Sequence, residues 1–245
     1  MKIVAVIPAR WESSRLKGKI LADINGKPMI QHVWERVKKA HNVDEVVIAV
    51  DKDKVQKVVQ DFGAKAVFTS PDQPSGTDRI AEAMRDIDVK VVLNIQADEP
   101  LIHHSIIDRL AQEMLLDQEL VMATVKKRID YDGEINNPNV VKVVTNREDC
   151  AIYFSRSPIP FYREEESSPK YYKHLGIYAY TKDFLYTFKN LPVSPLESAE
   201  KLEQLRVLEA GYKIKVLETQ FDSCGVDTED DLYKAESLLS KRKNI

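Results

Sequence analysis

Short apolar runs alternate with stretches of helical periodicity through the first half of the chain, and this rhythm limits the possible folds more than any other feature. Apolar runs at residues 3–7, 46–50 and 64–68 have the length of buried strands. Between them, apolar residues recur three or four positions apart after Pro28 and over residues 55–62, as in amphipathic helices. Strands that alternate with helices are typical of βα units. The pattern therefore predicts an α/β fold with a mostly parallel sheet flanked by helices.

The same patterns predict the remaining elements. Helices are expected over 77–85, 105–116, 196–208 and 228–239, and strands over 89–95, 120–125, 140–144, 175–180 and 213–218. Asp51 is predicted to cap the helix that follows it, and residues 153–163, which contain two prolines, are predicted to form a loop reaching away from the sheet. No internal repeat or flexible linker interrupts the chain. Residues 1–245 are therefore predicted to form a single domain.

The composition excludes several classes of protein. Apolar residues make up 43% of the 245 residues and charged residues 31%, which excludes disordered and low-complexity chains. The formal net charge of −3 gives no reason to expect a nucleic acid or an anionic membrane as partner. No apolar run approaches the ~18 residues of a membrane span, no signal-peptide pattern is present, and the two cysteines, Cys150 and Cys224, lack the spacing of a disulfide framework. A cytoplasmic protein is expected.

A basic segment follows the first predicted strand. Residues 1–19 carry five basic side chains against Glu12 alone, and residues 7–19 leave the carboxyl end of that strand, where open α/β sheets bind their ligands. Arg10, Arg15 and Lys19 can converge there on the oxygens of a polyphosphate. A solvated basic loop that binds no ligand would have the same sequence pattern. The segment has neither GxGxxG nor GxxxxGK[ST], which argues against a dinucleotide-binding dehydrogenase and a P-loop enzyme.

Two acidic positions are candidates for holding a divalent cation. Asp98 lies in the run IQADEP just after the most apolar predicted strand, where carboxylates can bind Mg²⁺ beside phosphates, although acids at strand ends also serve as turn formers and helix caps. In the run GVDTEDD, Thr228 and Asp231 have the spacing of a capping box, so they need no other role. Asp227 precedes that helix and is available to meet a metal.

Two further groups of polar residues have patterns that suit ligand binding. Ser75, Gly76 and Arg79 open a predicted helix, where backbone N–H groups can hold a phosphate, a ribose or a base, although a simple Ser75 cap explains them nearly as well. In the second group, His174 and Tyr178 share one face of a predicted strand and suit an acidic, hydroxylated ligand. The remaining members of this second group are Arg156, Glu203 and Gln204. A partly buried polar cluster or a subunit interface is the alternative, and spacing alone favours it. His103 and His104 are adjacent and point apart, so they cannot chelate together.

Seven motifs in this order resemble the 3-deoxy-manno-octulosonate cytidylyltransferase family, and their spacing matches along nearly the whole chain. They are PAR-x4-R-x3-K at 8–19, SGTDR at 75–79, NIQADEP at 94–100, YFSRSPIP at 153–160, HLGIY at 174–178, LEQLR at 202–206 and GVDT at 225–228. The resemblance implies a nucleotide-diphospho-sugar transferase-like α/β fold with a smaller dimerisation appendage at roughly 150–190, and hence a homodimer. It also implies a Mg²⁺-dependent enzyme that uses CTP and 3-deoxy-manno-octulosonate (Kdo) to make CMP-Kdo and pyrophosphate for lipopolysaccharide synthesis.

The resemblance assigns roles residue by residue. The implied catalytic residues are Arg10, Arg15, Lys19, Asp98 and Asp227, of which Asp98 and Asp227 would hold Mg²⁺. The implied nucleotide-binding residues are Ala9, Arg10, Arg15, Lys19, Ser75, Gly76, Arg79 and Gln96. The implied sugar-binding residues are Gln96, Arg156, His174, Tyr178, Glu203 and Gln204.

Two positions depart from the family pattern. Ala97 stands where the family usually has glycine, and Lys17 stands where it often has proline. Ala97 leaves the preferred sugar open between Kdo and its 8-amino analogue. Two other functions also stay open: a nucleotidyltransferase of the sialic-acid or methylerythritol type, and a non-catalytic nucleotide-binding protein with the same fold. The last would bind CTP without releasing pyrophosphate.

Overall fold

The computed structural model describes residues 2–12, 18–164, 170–223 and 225–242, so that Arg15, Lys17 and Cys224 lie outside the described residues. The helices are α1 (Met29–Val37), α2 (Asp53–Asp61), α3 (Gly76–Ala83), α4 (His104–Leu116), α5 (Lys182–Asn190), α6 (Pro195–Glu200), α7 (Gln204–Glu209) and α8 (Glu229–Arg242). The strands are β1 (Ile3–Ala9), β2 (Asp23–Ile24), β3 (Lys27–Pro28), β4 (Glu45–Val50), β5 (Lys65–Phe68), β6 (Val91–Asn94), β7 (Met122–Arg128), β8 (Lys142–Thr145), β9 (Ala151–Ser155), β10 (Tyr172–Thr181) and β11 (Lys215–Thr219).

Among the described residues, nine strands form the main sheet, in the order β11-β7-β10-β6-β1-β4-β5, with β8 paired to β10 and β9 paired to β8. Strands β6, β1, β4 and β5 run parallel, β11 runs parallel to β7, and β10 is antiparallel to both of its neighbours β6 and β7. The small strands β2 and β3 form a separate antiparallel pair. The predicted α/β fold with a mostly parallel sheet is confirmed.

The sheet is covered on both faces, which explains why its central strands are apolar throughout. In β1, Ile3, Ala5 and Ile7 pack into the core on one face, while Val4 and Val6 pack into the core on the other. Helices α1, α2, α4 and α8 contribute apolar side chains to the first core, and α3, α5 and α7 contribute to the second. Parallel strands with helices on both faces leave their carboxyl ends as the natural binding edge.

Three local predictions are wrong. Residues 153–155 belong to β9 rather than to a loop, because Phe154 is fully buried and pairs with Val143 of β8. The single helix expected over 196–208 is two helices, α6 and α7, since Lys201 adopts a left-handed conformation with φ 54° between them. The residue that caps α2 is Lys52, and the Asp51 carboxylate points elsewhere, as described below.

Within the range 150–190, the described strands β9 and β10 belong to the main sheet. The role of this range in dimerisation stays a prediction. Among the residues that the structure describes, no helix is long and apolar enough to cross a membrane.

Candidate active site

A cleft of about 380 Å³ opens where β1 and β6 end. Residues of four of the seven motifs meet here, although the first and last of these motifs are more than two hundred positions apart along the chain. The residues with predicted roles that line the cleft are Arg10, Lys19, Ser75, Gly76, Arg79, Gln96, Asp98 and Asp227. Ala9 is fully buried at the end of β1 and is not among the lining residues.

Lys19 joins the two predicted metal-binding acids. Its Nζ donates to Asp98 Oδ2 at 2.6 Å, to Asp227 Oδ1 at 2.9 Å and to the Val226 carbonyl oxygen at 3.0 Å. The backbone supports the arrangement, because the Val226 N–H donates to the Asp98 carbonyl oxygen at 2.9 Å. Two carboxylates from distant parts of the chain therefore converge on one cationic group.

The lysine offsets only one of the two negative charges at this point. Burial lowers the pKa of Lys19, but Asp98 and Asp227 raise it by more, so that its pKa lies above the ordinary value and the side chain remains an ammonium ion. The Lys19 side chain is 12% exposed, against 29% for Asp98 and 49% for Asp227, so the acids are the more accessible members. Carboxylate oxygens that already surround a cation form a donor set that fits Mg²⁺.

Gly18 adopts the turn conformation that directly precedes Lys19. Its φ of +71° lies in the left-handed region, and an added Cβ would collide with the indole ring of Trp11. The Gly18 N–H also donates to the Trp11 carbonyl oxygen at 3.3 Å. Glycine is needed here for both its conformation and its lack of a side chain.

Arg79 is fixed at the cleft by a buried ion pair that the sequence did not reveal. Its guanidinium donates to Thr69 Oγ1 at 2.6 Å and lies 3.4 Å from Asp51 Oδ2, and both side chains of the pair are at most 2% exposed. Burial lowers the pKa of Arg79, and Asp51 opposes that effect. The other Asp51 oxygen accepts the Trp11 N–H at 3.0 Å. Asp51 thus connects Arg79 to the basic segment.

Ser75 has the capping role proposed for it and also lines the cleft. Its Oγ accepts the Asp78 N–H at 3.1 Å and donates to Asp78 Oδ2 at 2.7 Å. The next residue but one, Thr77, donates from Oγ1 to Glu203 Oε2 at 2.8 Å. Burial raises the pKa of Glu203, although the Thr77 hydrogen bond works against this rise. Glu203 is thereby brought to the start of α3, next to the cleft.

His174 and Tyr178 lie on the same face of β10, as predicted, with ring centroids 5.4 Å apart. His174 Nε2 lies 2.8 Å from Thr124 Oγ1, and burial lowers the pKa of His174 to about 3, so the ring is neutral near pH 7. Gly176 lies between them in sequence, and a Cβ placed there would lie 4.0 Å from Cγ of Gln96. This face of β10 is therefore adjacent to the cleft through Gln96.

Gln96 lines the cleft, and the other predicted sugar-binding residues do not: His174, Tyr178 and Glu203 lie beside it, and Arg156 and Gln204 are placed differently. Arg156 donates from Nε to the Glu200 carbonyl oxygen at 2.7 Å and from Nη1 to the Pro138 carbonyl oxygen at 2.8 Å, and it does not line the cleft. Gln204 is 4% exposed at the start of α7. The structure brings neither side chain into the cleft.

Glu99 follows Asp98 in the NIQADEP motif, and the family resemblance implies no role for it. Burial, with Asp98 and Asp222 adding to it, raises its pKa to about 8. One of its carboxylate oxygens is buried without a hydrogen-bond partner among the described residues.

Ala97, which stands where the family usually has glycine, does not need the conformational freedom of glycine. Its φ is not positive, since the positive-φ non-glycine residues of the described chain are Asn25, Asp149 and Lys201.

His174→Gln is expected to reduce the sensitivity of the fold to acid. The folded-state pKa of about 3 lies below the ordinary value of 6.5, so His174 contributes stability that is present above pH 6.5 and is lost as the pH falls towards 3. The glutamine cannot take up that proton. Urea unfolding at several values between pH 7 and pH 4 should show the wild type losing more stability than the variant, whereas parallel losses would contradict the buried, neutral imidazole.

Comparisons with known proteins agree with this geometry. The Cytidylyltransferase family model matches residues 4–214. A curated 3-deoxy-manno-octulosonate cytidylyltransferase from Geobacter metallireducens is 48% identical, over 98% of this chain and 99% of its own length. A solved structure of CMP:2-keto-3-deoxy-manno-octonic acid synthetase complexed with CTP is 46% identical, with a TM-score of 0.94 over 99% of this chain and 100% of that chain.

A more distant likeness concerns the fold alone. The structure of 4-diphosphocytidyl-2C-methyl-D-erythritol synthase from Anaerococcus prevotii has a TM-score of 0.65 at 12% identity, over 98% of each chain. Its sequence is too different to carry an activity across. Because its relatives match it at nearly 50% sequence identity over almost their full length, this chain belongs to the 3-deoxy-manno-octulosonate cytidylyltransferase family.

Proposed function

We propose that this protein transfers the CMP group of CTP to the anomeric hydroxyl of Kdo, giving CMP-Kdo and pyrophosphate. The observation that carries the proposal is the convergence of Lys19, Asp98 and Asp227 in a cleft that Arg10 and Arg79 also line. Carboxylates for a divalent cation and basic groups for a triphosphate are the two requirements of nucleotidyl transfer.

In the proposed reaction the anomeric oxygen forms a bond to the α-phosphorus of CTP as the bond from that phosphorus to the bridging oxygen of pyrophosphate breaks. The hydroxyl proton is released. Phosphoryl transfer needs little covalent help from a protein, so positioning and charge stabilisation account for most of the catalysis. A Mg²⁺ ion held by Asp98 and Asp227 would supply Lewis-acid polarisation of a phosphate oxygen and bring the two reactants together.

The basic residues are assigned to the triphosphate. Arg10 lies near enough to Arg79 to lower the pKa of Arg79, so Arg10 adds positive charge at the cleft, where the charge of Arg79 is paired with buried Asp51. Lys19, which bridges the two acids, is assigned to the same task together with Arg15, whose role rests on the family motif. Ser75, Gly76 and the buried end of β1 at Ala9 are assigned to the nucleotide.

The sugar is assigned to the face of β10 next to Gln96. Neutral His174 and the Tyr178 phenol suit the hydroxyl groups of a sugar. Glu203 and Gln204 are assigned to the same substrate. Arg156 is the member with a permanent positive charge, and to meet the sugar carboxylate it would exchange its present backbone acceptors for that group.

We infer in addition a cytoplasmic homodimer that supplies activated Kdo for lipopolysaccharide synthesis. Support for self-association comes from large apolar side chains that are exposed within residues 150–190, with Ile152 60% exposed and Phe161 88% exposed. Size-exclusion chromatography with light scattering measures this directly. A monomer at micromolar concentration would contradict the inference.

Release of pyrophosphate tests the proposed reaction. The protein with Mg²⁺ is expected to release pyrophosphate from CTP, but not from ATP, GTP or UTP, when Kdo or its 8-amino analogue is present. The ratio of kcat/KM for these two sugars decides which one is preferred. Turnover with N-acetylneuraminate or methylerythritol phosphate in place of Kdo would assign the chain to a different transferase activity. Binding of CTP without pyrophosphate release would show a non-catalytic nucleotide-binding protein.

A further inference from the structure

A second group of potential metal ligands lies outside the cleft. His41 is in the connection between α1 and β4, and His104 and Asp108 lie one turn apart on α4. We call these three residues the His–Asp cluster. None of them lines the cleft that contains Asp98 and Asp227. The proposed function gives the cluster no part in the reaction.

The carboxylate of Asp108 is held so that one of its oxygens faces both imidazoles. Its Oδ1 accepts the N–H groups of His41 at 2.7 Å and Asn42 at 2.8 Å. Its Oδ2 lies 3.5 Å from His41 Nδ1 and 3.8 Å from His104 Nδ1. Backbone donors that fix a carboxylate in this way are typical of the outer shell that orients a metal ligand.

His104 supplies a second, independent observation. Its Nδ1 is buried and has no hydrogen-bond partner among the described residues. The 3.8 Å to Asp108 Oδ2 is too long for a hydrogen bond. A buried ring nitrogen left without a partner is unfavourable, and this nitrogen faces the same oxygen as His41 Nδ1.

The spacing of the ligand atoms suits a transition metal. One ligand atom from each of His41, His104 and Asp108 lies within 4.8 Å of the others. Bonds of about 2.0–2.1 Å in a tetrahedral zinc site place ligand atoms about 3.3 Å apart. The His41 side chain is 84% exposed and attached to a loop, and a zinc site of this geometry needs His41 to move closer to the other two ligands. The i, i+4 spacing of His104 and Asp108 already puts both on one face of α4.

We propose that the His–Asp cluster binds one divalent transition-metal ion of the zinc class and so connects the loop after α1 to α4. Two imidazoles and one carboxylate suit such an ion, whereas Mg²⁺ and Ca²⁺ prefer oxygen ligands. Three protein ligands leave a coordination position for water. The ion is distinct in both chemistry and place from the Mg²⁺ assigned to the cleft.

Metal titration of the full-length protein tests the proposal. After chelator treatment, the protein is titrated calorimetrically with Zn²⁺, and with Co²⁺ by visible absorption, in excess Mg²⁺ so that the cleft acids are occupied by that ion. One equivalent is expected to bind to the wild type. His41→Gln and Asp108→Asn are each expected to raise the dissociation constant at least about tenfold. Zn²⁺ should raise the thermal midpoint of the wild type but not of His41→Gln.

The variants are chosen so that loss of folding cannot imitate loss of binding. His41 is exposed, and the asparagine at position 108 can still accept the two backbone N–H groups with its amide oxygen. His103→Gln is the control for a neighbouring imidazole, because the His103 ring stacks on that of His104 with centroids 4.5 Å apart and its Nδ1 lies 2.7 Å from Ser105 Oγ. Pyrophosphate release should be unchanged in His41→Gln.

Four results would overturn the proposal, the first three of which concern the variants. These three are equal affinities in the wild type and His41→Gln, an equal loss of affinity in His103→Gln, and Zn²⁺ binding that depends on Asp98 and Asp227 instead. Absence of measurable binding at millimolar Zn²⁺ would overturn it as well.

Discussion

Asp98→Asn and Asp227→Asn are each expected to lower kcat for pyrophosphate release by roughly 100- to 1000-fold, because an amide removes one of the two negative charges that converge at Lys19. An amide is nearly the same size as a carboxylate, so the shape of the cleft should be retained. The measurement is steady-state kcat at saturating CTP, Kdo and Mg²⁺, with the thermal midpoint of each variant recorded alongside.

A matched control for these substitutions is Asp230→Asn. Asp230 lies three residues beyond Asp227 in the first turn of α8, is exposed and does not line the cleft. Its kcat should equal that of the wild type. Normal turnover in both Asp98→Asn and Asp227→Asn would mean that the two acids do not hold the catalytic cation.

Arg79→Met is expected to lower the free energy of unfolding by about 3–5 kcal/mol, because it leaves the carboxylate of Asp51 buried without its ionic partner. The substitution also removes the hydrogen bond that Thr69 accepts from the guanidinium. Methionine fills a similar volume, so the cost arises mainly from the unpaired charge. Urea unfolding at pH 7 measures the loss.

The double variant separates the unpaired charge from a general loss of packing. With Asp51→Asn added to Arg79→Met, no buried charge remains, and the double variant should be more stable than the sum of the two single losses implies. The asparagine oxygen can still accept the Trp11 N–H. Strictly additive losses would show that Arg79 and Asp51 do not act as a pair.

The main elements could be predicted from the sequence because their signals are local. The apolar run at the start of β1 and the spacing of apolar residues in α1 reflect burial of one strand or one helix face. The elements that differ from the prediction depend on contacts between residues that are distant in the sequence. Residues 153–155 extend as a strand because Phe154 is buried against β8, and the proline pair that predicted a loop takes effect only after them.

The same distinction applies to the site. The family motifs contain Lys19, Asp98 and Asp227, and the structure brings these three together. Asp51 was assigned as a cap on local grounds, whereas its partners Trp11 and Arg79 lie 40 and 28 residues away. His103 and His104 were expected to point apart, but their rings stack with centroids 4.5 Å apart. His104 also lies beside His41, with ring centroids 6.3 Å apart, although His41 is more than sixty positions earlier in the chain. Pairings of this kind arise from the tertiary fold and have no local pattern.

The central claim is that Asp98 and Asp227 hold one divalent cation beside the triphosphate. The most direct test is the anomalous diffraction of crystals grown with CTP and with Mn²⁺ in place of Mg²⁺. The account predicts an anomalous peak between the two carboxylates, about 2.0–2.3 Å from an oxygen of each, next to the phosphates. A Mn²⁺ ion located elsewhere, with Lys19 still bridging both acids while CTP is bound, would contradict it.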